Sequence, residues 1–276
     1  MLFLGPESKG LIPPVKEHSN IEVGGARISV RIIRPDEPRE QPWLVFLHHA
    51  LGSIAQWKNF PLRLSQETGL PALVVERSGH GNSSGWPVKR GPDFFHVEAL
   101  ERLPGILKKL EIKNPILVGH SDGATIALLF ASRFPAAGLL LEAPHIMVEP
   151  QTAEGIRQAL AGRENLVARL AKYHGERSDA LVNAWSEQWL DPAFQHWNIT
   201  RELPAISCPV LVVQGTTDPY GTTAHAREIK KALGGKATCL FTEGGHFLHL
   251  EEAELVLKYM ASFVRDQIEN HSINIS

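Results

Sequence analysis

The chain has few cysteines, little excess charge and no long apolar run, and each shortage excludes a class of protein. Its two cysteines, Cys208 and Cys239, each lie beside an apolar run, which favours buried reduced thiols over a disulfide framework or a metal site. With 28 basic and 30 acidic side chains the net charge is -2, so we expect no nucleic-acid or membrane partner. No run approaches the roughly 18 apolar residues that a membrane span needs.

The amino end also lacks the pattern of a secretory signal. The apolar residues Met1 to Leu4 are interrupted by Gly5 and Pro6, and the charged Glu7 follows. We therefore expect a cytoplasmic protein. Its 276 residues, 43% of them hydrophobic, are enough to bury one large core.

Most of the chain alternates between short apolar runs and segments with helical spacing. A glycine turn at Gly24 and Gly25 predicts a hairpin over residues 21–33. The later runs predict buried strands separated by helices, which is typical of an α/β fold with a mainly parallel sheet flanked by helices. These strands are predicted at 43–47, 72–75, 116–118, 138–141, 210–213 and 237–241. Helices are predicted at 94–110, 223–233 and 251–268, and Pro104 should kink the first of these or mark its start.

The alternation stops after residue 145. Residues 146–204 contain no strand-like run and show helical patterns rich in aromatic side chains. We therefore predict a helical lid over 146–204, inserted into an α/β core formed by 1–145 and 205–276. About half of its aromatic side chains are expected to line an apolar acyl pocket. The candidates are Tyr173, Trp185, Trp189, Phe194 and Trp197.

One turn carries the predicted chemistry. Ile116 to Val118 predicts a strand and the residues after Gly123 have helical spacing, so the chain makes a sharp strand-to-helix corner between them. Gly119 and Gly123 remove the bulk that would prevent so tight a turn around Ser121. The Ser121 hydroxyl is then a candidate nucleophile at the edge of the sheet. A serine that only caps the helix is the alternative.

A serine nucleophile needs a base, and the base needs a carboxylate to orient it. His246 follows the last predicted strand in a glycine-rich loop, and Asp218 follows the strand before it. Both therefore lie at carboxyl ends of strands, where the reactive groups of an open parallel sheet collect. His249 is a weaker candidate for the base and Glu142 for the acid, although a loop residue bonded to backbone is the favoured interpretation of Glu142. Asp218 could instead serve only as a turn or capping residue.

The negative charge that develops during acyl transfer needs two hydrogen-bond donors. One candidate is the backbone N-H of Asp122, directly after the nucleophile. The other is the N-H of Ala50, in the loop after the strand at 43–47, with the neighbouring Leu51 as the alternative. Leu51, Trp185 and Trp189 are the predicted substrate contacts.

These features resemble the α/β-hydrolase fold serine hydrolases over nearly the whole chain outside the predicted lid, in the order nucleophile, acid, histidine. The loop from His48 to Ser53 is similar to the family's His-Gly-x-x-Gly loop, and the segment from Arg77 to Ser83 to its Arg-Gly-His-Gly-x-Ser segment. His49 stands where the family usually has glycine, and Ala124 replaces a frequent second glycine. The resemblance implies hydrolysis of a carboxylic ester, thioester or lactone. We expect a small, partly apolar substrate, no cofactor, and a monomer or homodimer.

Some residues admit more than one interpretation. Asp122 is either a favourable charge at a helix N-terminus or a pocket carboxylate that attracts a cationic group such as an amine. His48 and His49 point to different sides of an extended chain and no ligand cluster accompanies them, so we predict no metal site. His80 lies in the second family-like segment, where a structural role is expected.

Two other functions remain open. A carbon-carbon bond hydrolase would use the same three residues, although such family members usually have Ser-Met-Gly-Gly where this chain has Ser121 to Ala124. A non-catalytic ligand receptor could use the same scaffold, but the complete set of candidate residues argues against it. Haloalkane dehalogenases and epoxide hydrolases also resemble the chain, but they have aspartate at the position of Ser121.

Overall fold

The computed structural model describes residues 15–35, 42–85 and 90–269. Residues 1–9, on which the expectation about a signal peptide depends, lie outside this part of the chain. Within it, no helix combines the length and the apolar character required to cross a membrane.

Eight strands form one sheet in the order β1-β2-β4-β3-β5-β6-β7-β8. The hairpin β1-β2 is antiparallel and joins β4 in antiparallel register, whereas every pairing from β4 to β8 is parallel. Strands β3 to β7 are buried along their whole length, as their continuous apolar runs predict. The mainly parallel α/β sheet is therefore confirmed. The strands are Val15–Val23, Ala26–Arg34, Leu44–Leu47, Ala72–Val75, Ile116–His120, Gly138–Glu142, Val210–Gly215 and Ala237–Thr242.

Helices cover both faces of the sheet. Successive residues of a strand point to opposite faces, so Val45 and Leu47 enter one core while Leu44 and Phe46 enter the other. Helices α2, α3, α4 and α8 contribute to the first core, and α1 and α10 to the second. The helices α1 to α10 are Phe60–Thr68, Phe94–Val97, Leu103–Lys109, Asp122–Ala131, Pro150–Ala161, Arg163–His174, Ser178–Leu190, Ala224–Leu233, Leu248–Glu251 and Ala253–Phe263.

The helix predicted over 94–110 is interrupted. A π-helical turn, Glu98–Arg102, separates α2 from α3. Pro104 lies in the first turn of α3, where its missing N-H is tolerated. Helix α3 begins at Leu103, one residue before Pro104, and the backbone of Arg102 and Leu103 stays in the α-helical region, so Pro104 marks the start of α3 without a break in the helical path.

Residues 146–204, here the β6-β7 segment, contain α5, α6 and α7 and no strand longer than an isolated bridge. The segment is held to the rest of the protein on two sides. On one side, the N-H of Gly81 donates to Nδ1 of His174 at 2.9 Å. On the other, the carboxylate of Glu149 accepts from the N-H of Thr222 at 2.8 Å and from its hydroxyl at 2.6 Å.

Candidate active site

Ser121 lies at the corner between β5 and α4, as the sequence predicts. Its backbone has φ 54° and ψ -117°, a conformation that costs a non-glycine residue of order 1–3 kcal/mol. A Cβ atom on Gly123 would lie 1.9 Å from the carbonyl oxygen of Leu47, and one on Gly119 would lie 2.5 Å from Cα of Ala124. Glycine is therefore required on both sides of the serine, because the corner brings neighbouring backbone into contact there.

Asp218 and His246 meet at the carboxyl ends of β7 and β8. Nδ1 of His246 lies 2.7 Å from Oδ2 of Asp218, and both residues are buried. The same carboxylate accepts from the side chain of Gln214 at 3.1 Å and from the N-H of Tyr220 at 2.8 Å. Burial alone would raise the pKa of Asp218, but the charge and hydrogen bond of His246 outweigh it and lower the pKa to about 2. The aspartate is thus held in its charged form beside the imidazole.

A cavity of about 340 Å³ is bordered by both Ser121 and His246. Ser121 and His246 therefore both border the cavity. Asp218 does not border it, and it is hydrogen-bonded to His246. Within the described part of the chain, no hydrogen bond joins the Ser121 hydroxyl to the His246 ring. Such bonds are often long in the absence of substrate and tighten when it binds.

The backbone N-H of Ala50, in the loop after β3, has no hydrogen-bond partner in the described chain. The preceding carbonyl, on His49, contacts Nδ1 of His48 at 2.7 Å and accepts from Nη2 of Arg77 at 2.7 Å. Because a trans peptide is planar, fixing this carbonyl also fixes the direction of the Ala50 N-H. The N-H of Leu51 already donates to Nδ1 of His49 at 3.4 Å. Ala50 and Leu51 both border the cavity.

Asp122 has arginine partners that the sequence did not reveal. Its Oδ2 accepts from Nη1 of Arg90 at 2.8 Å and lies 3.6 Å from Nη1 of Arg77. Arg90 also donates to the carbonyl of Ala50 at 3.1 Å, and Nε2 of His80 contacts the same oxygen at 3.0 Å. Burial lowers the pKa of Arg77, and the charge of Asp122 opposes that shift. Asp122 therefore ties the start of α4 to the loop after β3 through a buried ion pair.

The two weaker candidates, Glu142 and His249, pair with each other. Nδ1 of His249 lies 2.9 Å from both carboxylate oxygens of Glu142, and its N-H donates to the same group at 3.1 Å. Burial would raise the pKa of Glu142, but His249 and His120 lower it to about 2. Burial lowers the pKa of His120 to about 3. Neither Glu142 nor His249 borders the cavity of Ser121.

Among the described residues, the side chains of His120, Glu142 and His249 come nearest to forming a metal site. Their donor atoms lie within 4.8 Å of one another, and His48 and His49 do not belong to the group. The donors are, however, already used within the chain: Glu142 is bonded to His249, and Nε2 of His120 lies 2.8 Å from the carbonyl of His246. The group is thus a hydrogen-bonded network in which the buried Nδ1 of His120 has no hydrogen-bond partner among the described residues.

The aromatic candidates of the β6-β7 segment separate into two groups. Tyr173, Trp185 and Trp189 border the cavity, with the last two one turn apart on α7. Phe194 and Trp197 do not border it and stack on each other with ring centres 5.2 Å apart. Helical spacing alone could not separate these groups, because packing and lining residues have the same periodicity.

Several cavity residues were missed from the sequence. Tyr220 packs its ring 4.9 Å from that of His246, and its position two residues after Asp218 was the available signal. Arg169 and Lys172 lie on α6 with the spacing of one helical face, but a pair of cations at this spacing usually marks a solvated surface. His145 follows β6 and had no distinguishing pattern.

The sequence model described as the alpha/beta hydrolase family matches residues 44–258. The chain belongs to this family. The human protein named serine hydrolase BPHL is 31% identical to this α/β hydrolase over 184 residues, which is 63% of the chain and 62% of that protein. The match thus spans less than two thirds of that relative's length. The mouse sn-1-specific diacylglycerol lipase ABHD11 is 24% identical over 255 residues, 81% of each chain.

Solved structures give the same fold. The esterase EaEST from Exiguobacterium antarcticum superposes with a TM-score of 0.73 at 17% identity, covering 91% of this chain and 100% of that one. The enol-lactonase from Burkholderia xenovorans LB400 gives a TM-score of 0.70 at 20% identity, covering 90% and 100%. These structures establish the fold, and the family and its serine hydrolase relatives support a hydrolase.

Proposed function

We propose that this α/β hydrolase is a serine hydrolase that cleaves a carboxylic ester through a covalent acyl-enzyme on Ser121. The observation that carries the proposal is the buried Asp218-His246 hydrogen bond of 2.7 Å at the cavity that Ser121 borders. A serine hydroxyl is a weak nucleophile at neutral pH, and an imidazole oriented by a carboxylate is the group that activates it. The names of the relatives, a serine hydrolase, a lipase and an esterase, support the ester class.

In the first half of the reaction, the Ser121 oxygen bonds to the ester carbonyl carbon while its proton passes to Nε2 of His246. Asp218 holds Nδ1 of the ring, which leaves Nε2 to take the serine proton, and it stabilises the imidazolium that forms. The imidazolium then gives the proton to the departing alkoxide, which leaves as the alcohol. In the second half, water attacks the acyl-enzyme with His246 again as the base, and the carboxylic acid is released.

The oxyanion of each tetrahedral intermediate is bound by the N-H groups of Asp122 and Ala50. The Asp122 N-H starts helix α4, where an N-H has no partner in its own helix. The Ala50 N-H is favoured over that of Leu51 because the latter already donates to His49. The Arg77 hydrogen bond to the His49 carbonyl fixes the Ala50 donor before substrate arrives, which is the preorganisation that such a site requires.

The β6-β7 segment is proposed to act as the lid of the site, inserted between 1–145 and 205–276. Its Tyr173, Trp185 and Trp189 border the cavity together with core residues such as Ser121 and His246. A volume of about 340 Å³ suits a small acyl group, and the aromatic wall suits an apolar one. Small esters are therefore the proposed substrates, and thioesters and lactones follow the same steps.

The test is covalent labelling with a fluorophosphonate together with turnover of p-nitrophenyl esters of short fatty acids. The wild-type protein should be labelled and should release p-nitrophenolate, and Ser121→Ala should do neither. Ser132→Ala is the matched control, because Ser132 lies just after the same helix and its hydroxyl donates to the Leu129 carbonyl at 2.7 Å. Undiminished labelling or turnover in Ser121→Ala would remove the serine from the mechanism.

A further inference from the structure

The charges around the cavity are one-sided. Asp122 is the one carboxylate among the described residues that border it. That carboxylate is already in contact with two buried guanidinium groups, those of Arg90 and Arg77. A cationic substrate group would therefore have to compete with two fixed arginines for it. The cavity offers an amine no free negative partner among these residues.

Two positively charged side chains, by contrast, border the cavity without an ion-pair partner in the described chain. Arg169 and Lys172, three residues apart on α6, both border the cavity and are exposed. No carboxylate of the described chain lies within ion-pair distance of either. A third cation, Lys58, donates to the hydroxyl of Tyr173 at 3.4 Å, and Lys172 Nζ lies 4.7 Å from the Tyr173 ring centre. Burial would raise the pKa of Tyr173, but Lys172 and Lys58 lower it, so their positive field reaches the cavity wall.

The residues around these cations are apolar. Leu166 and Leu170, one helical turn apart on α6, border the same cavity, as does Ile156 of α5. A ligand that reaches from Ser121 to the α6 face thus crosses hydrophobic surface and ends among positive charges. That sequence of environments matches a short hydrocarbon chain with a terminal anion.

We propose that Arg169 and Lys172 form an anion subsite, and that the substrate is an ester whose acyl or alcohol part ends in a carboxylate. The inference rests on the proposed esterase function and adds the substrate class to it. A guanidinium binds a carboxylate through two parallel N-H donors, and the ammonium group adds a second attraction from the next turn. The carboxylate takes no part in the reaction: only the ester bond breaks, with water supplying the hydroxyl and the proton.

The experiment compares p-nitrophenyl esters with acyl chains of equal length and different terminal charge. These are the monoester of adipic acid, the hexanoate, and the ester of ε-aminocaproic acid. A hexanoate ester of p-hydroxybenzoate places the carboxylate on the alcohol side, with phenyl hexanoate as its neutral partner. The wild-type protein should have the higher kcat/KM for the carboxylate member of at least one pair, and the amino ester should be the poorest substrate.

The double variant Arg169→Gln/Lys172→Gln should reduce the ratio of kcat/KM between the carboxylate and neutral members by about tenfold, mainly through KM. Added salt should reduce the wild-type ratio as well, because the subsite is exposed. Arg157→Gln/Lys231→Gln is the control, since it removes the same charge from exposed side chains that do not border the cavity. Its ratio should equal that of the wild type.

The outcomes separate the two proposals. Serine-dependent hydrolysis without preference for a carboxylate, or a preference that survives in Arg169→Gln/Lys172→Gln, overturns the anion subsite alone. Preference for the amino ester overturns it as well. If Ser121→Ala hydrolyses the esters as fast as the wild type, the proposed function fails first.

Discussion

The buried ion pair of Asp122 and Arg90 allows a prediction that distinguishes the two interpretations of Asp122, a structural charge and a pocket carboxylate that attracts a cationic substrate group. In Asp122→Asn the side chain keeps its shape but loses its charge, and the guanidinium groups of Arg90 and Arg77 remain buried without their ion-pair partner. Removing one partner of such a pair costs about 3–5 kcal/mol. For a chain of this size, that corresponds to a fall in melting temperature of roughly 10 °C.

The matched control is Asp179→Asn. Asp179 also pairs with an arginine, Arg163, at 2.6 Å, but its side chain is 60% exposed. An exposed pair contributes below about 1 kcal/mol, so this variant should melt within a few degrees of the wild type. Thermal unfolding of the two variants therefore compares the same chemical change in buried and solvated settings.

Turnover by the same Asp122→Asn variant supplies the second measurement. Because Oδ2 of Asp122 is occupied by Arg90, activity towards neutral and amino-acyl esters should fall by the same factor. Arg90 also holds the Ala50 carbonyl at 3.1 Å, so kcat should fall along with stability. An unchanged melting temperature together with a selective loss on amino-acyl esters would refute this reasoning and assign the carboxylate to the substrate.

Three further changes test the site and the fold. Asp218→Asn should lower kcat roughly ten-thousandfold, since the imidazole loses its orienting partner, and steady-state kinetics showing a loss below about tenfold would contradict this role. The pKa of Glu142 is lowered from 4.5 to about 2, so its charge stabilises the fold at neutral pH and this stabilisation is lost as the pH falls towards 2. Urea unfolding at a series of pH values should show that decline in the wild type and a flatter one in Glu142→Gln; equal slopes would count against the pair. Gly123→Ala should sharply lower the melting temperature because its Cβ would lie 1.9 Å from the Leu47 carbonyl oxygen, whereas Gly235→Ala, with no atom within 4 Å, should melt like the wild type.

The sequence was informative where a residue type has one structural use. Continuous apolar runs such as 44–47 predict strands buried on both faces, and the structure has them there. Gly119 and Gly123 predict the corner around Ser121 because few other residues fit it. The meeting of Asp218 with His246 also follows from the chain, since parallel strands bring their carboxyl ends to one edge.

The sequence was uninformative where the contact depends on the path of a loop. Arg90 lies outside any periodic pattern, yet it reaches Asp122 from 32 residues away and holds the loop after β3. The Glu142-His249 pair joins residues 107 positions apart, and the local sequence around either residue does not indicate the other. Which side chains of α6 face the cavity likewise depends on how that helix packs, which its own sequence does not specify.

The two attachments of the β6-β7 segment affect how substrate enters the cavity and how product leaves it. A lid that opens as a rigid body needs one end that is not bonded to the core. This segment is hydrogen-bonded to the rest of the protein both through His174 and through Glu149. The segment is therefore a fixed cover of the cavity, and moving it away would break the hydrogen bonds of His174 and Glu149. We therefore expect substrate entry and product exit to depend on rotamer changes of side chains that border the cavity, on the nanosecond timescale, without a rigid-body movement of the segment that limits turnover.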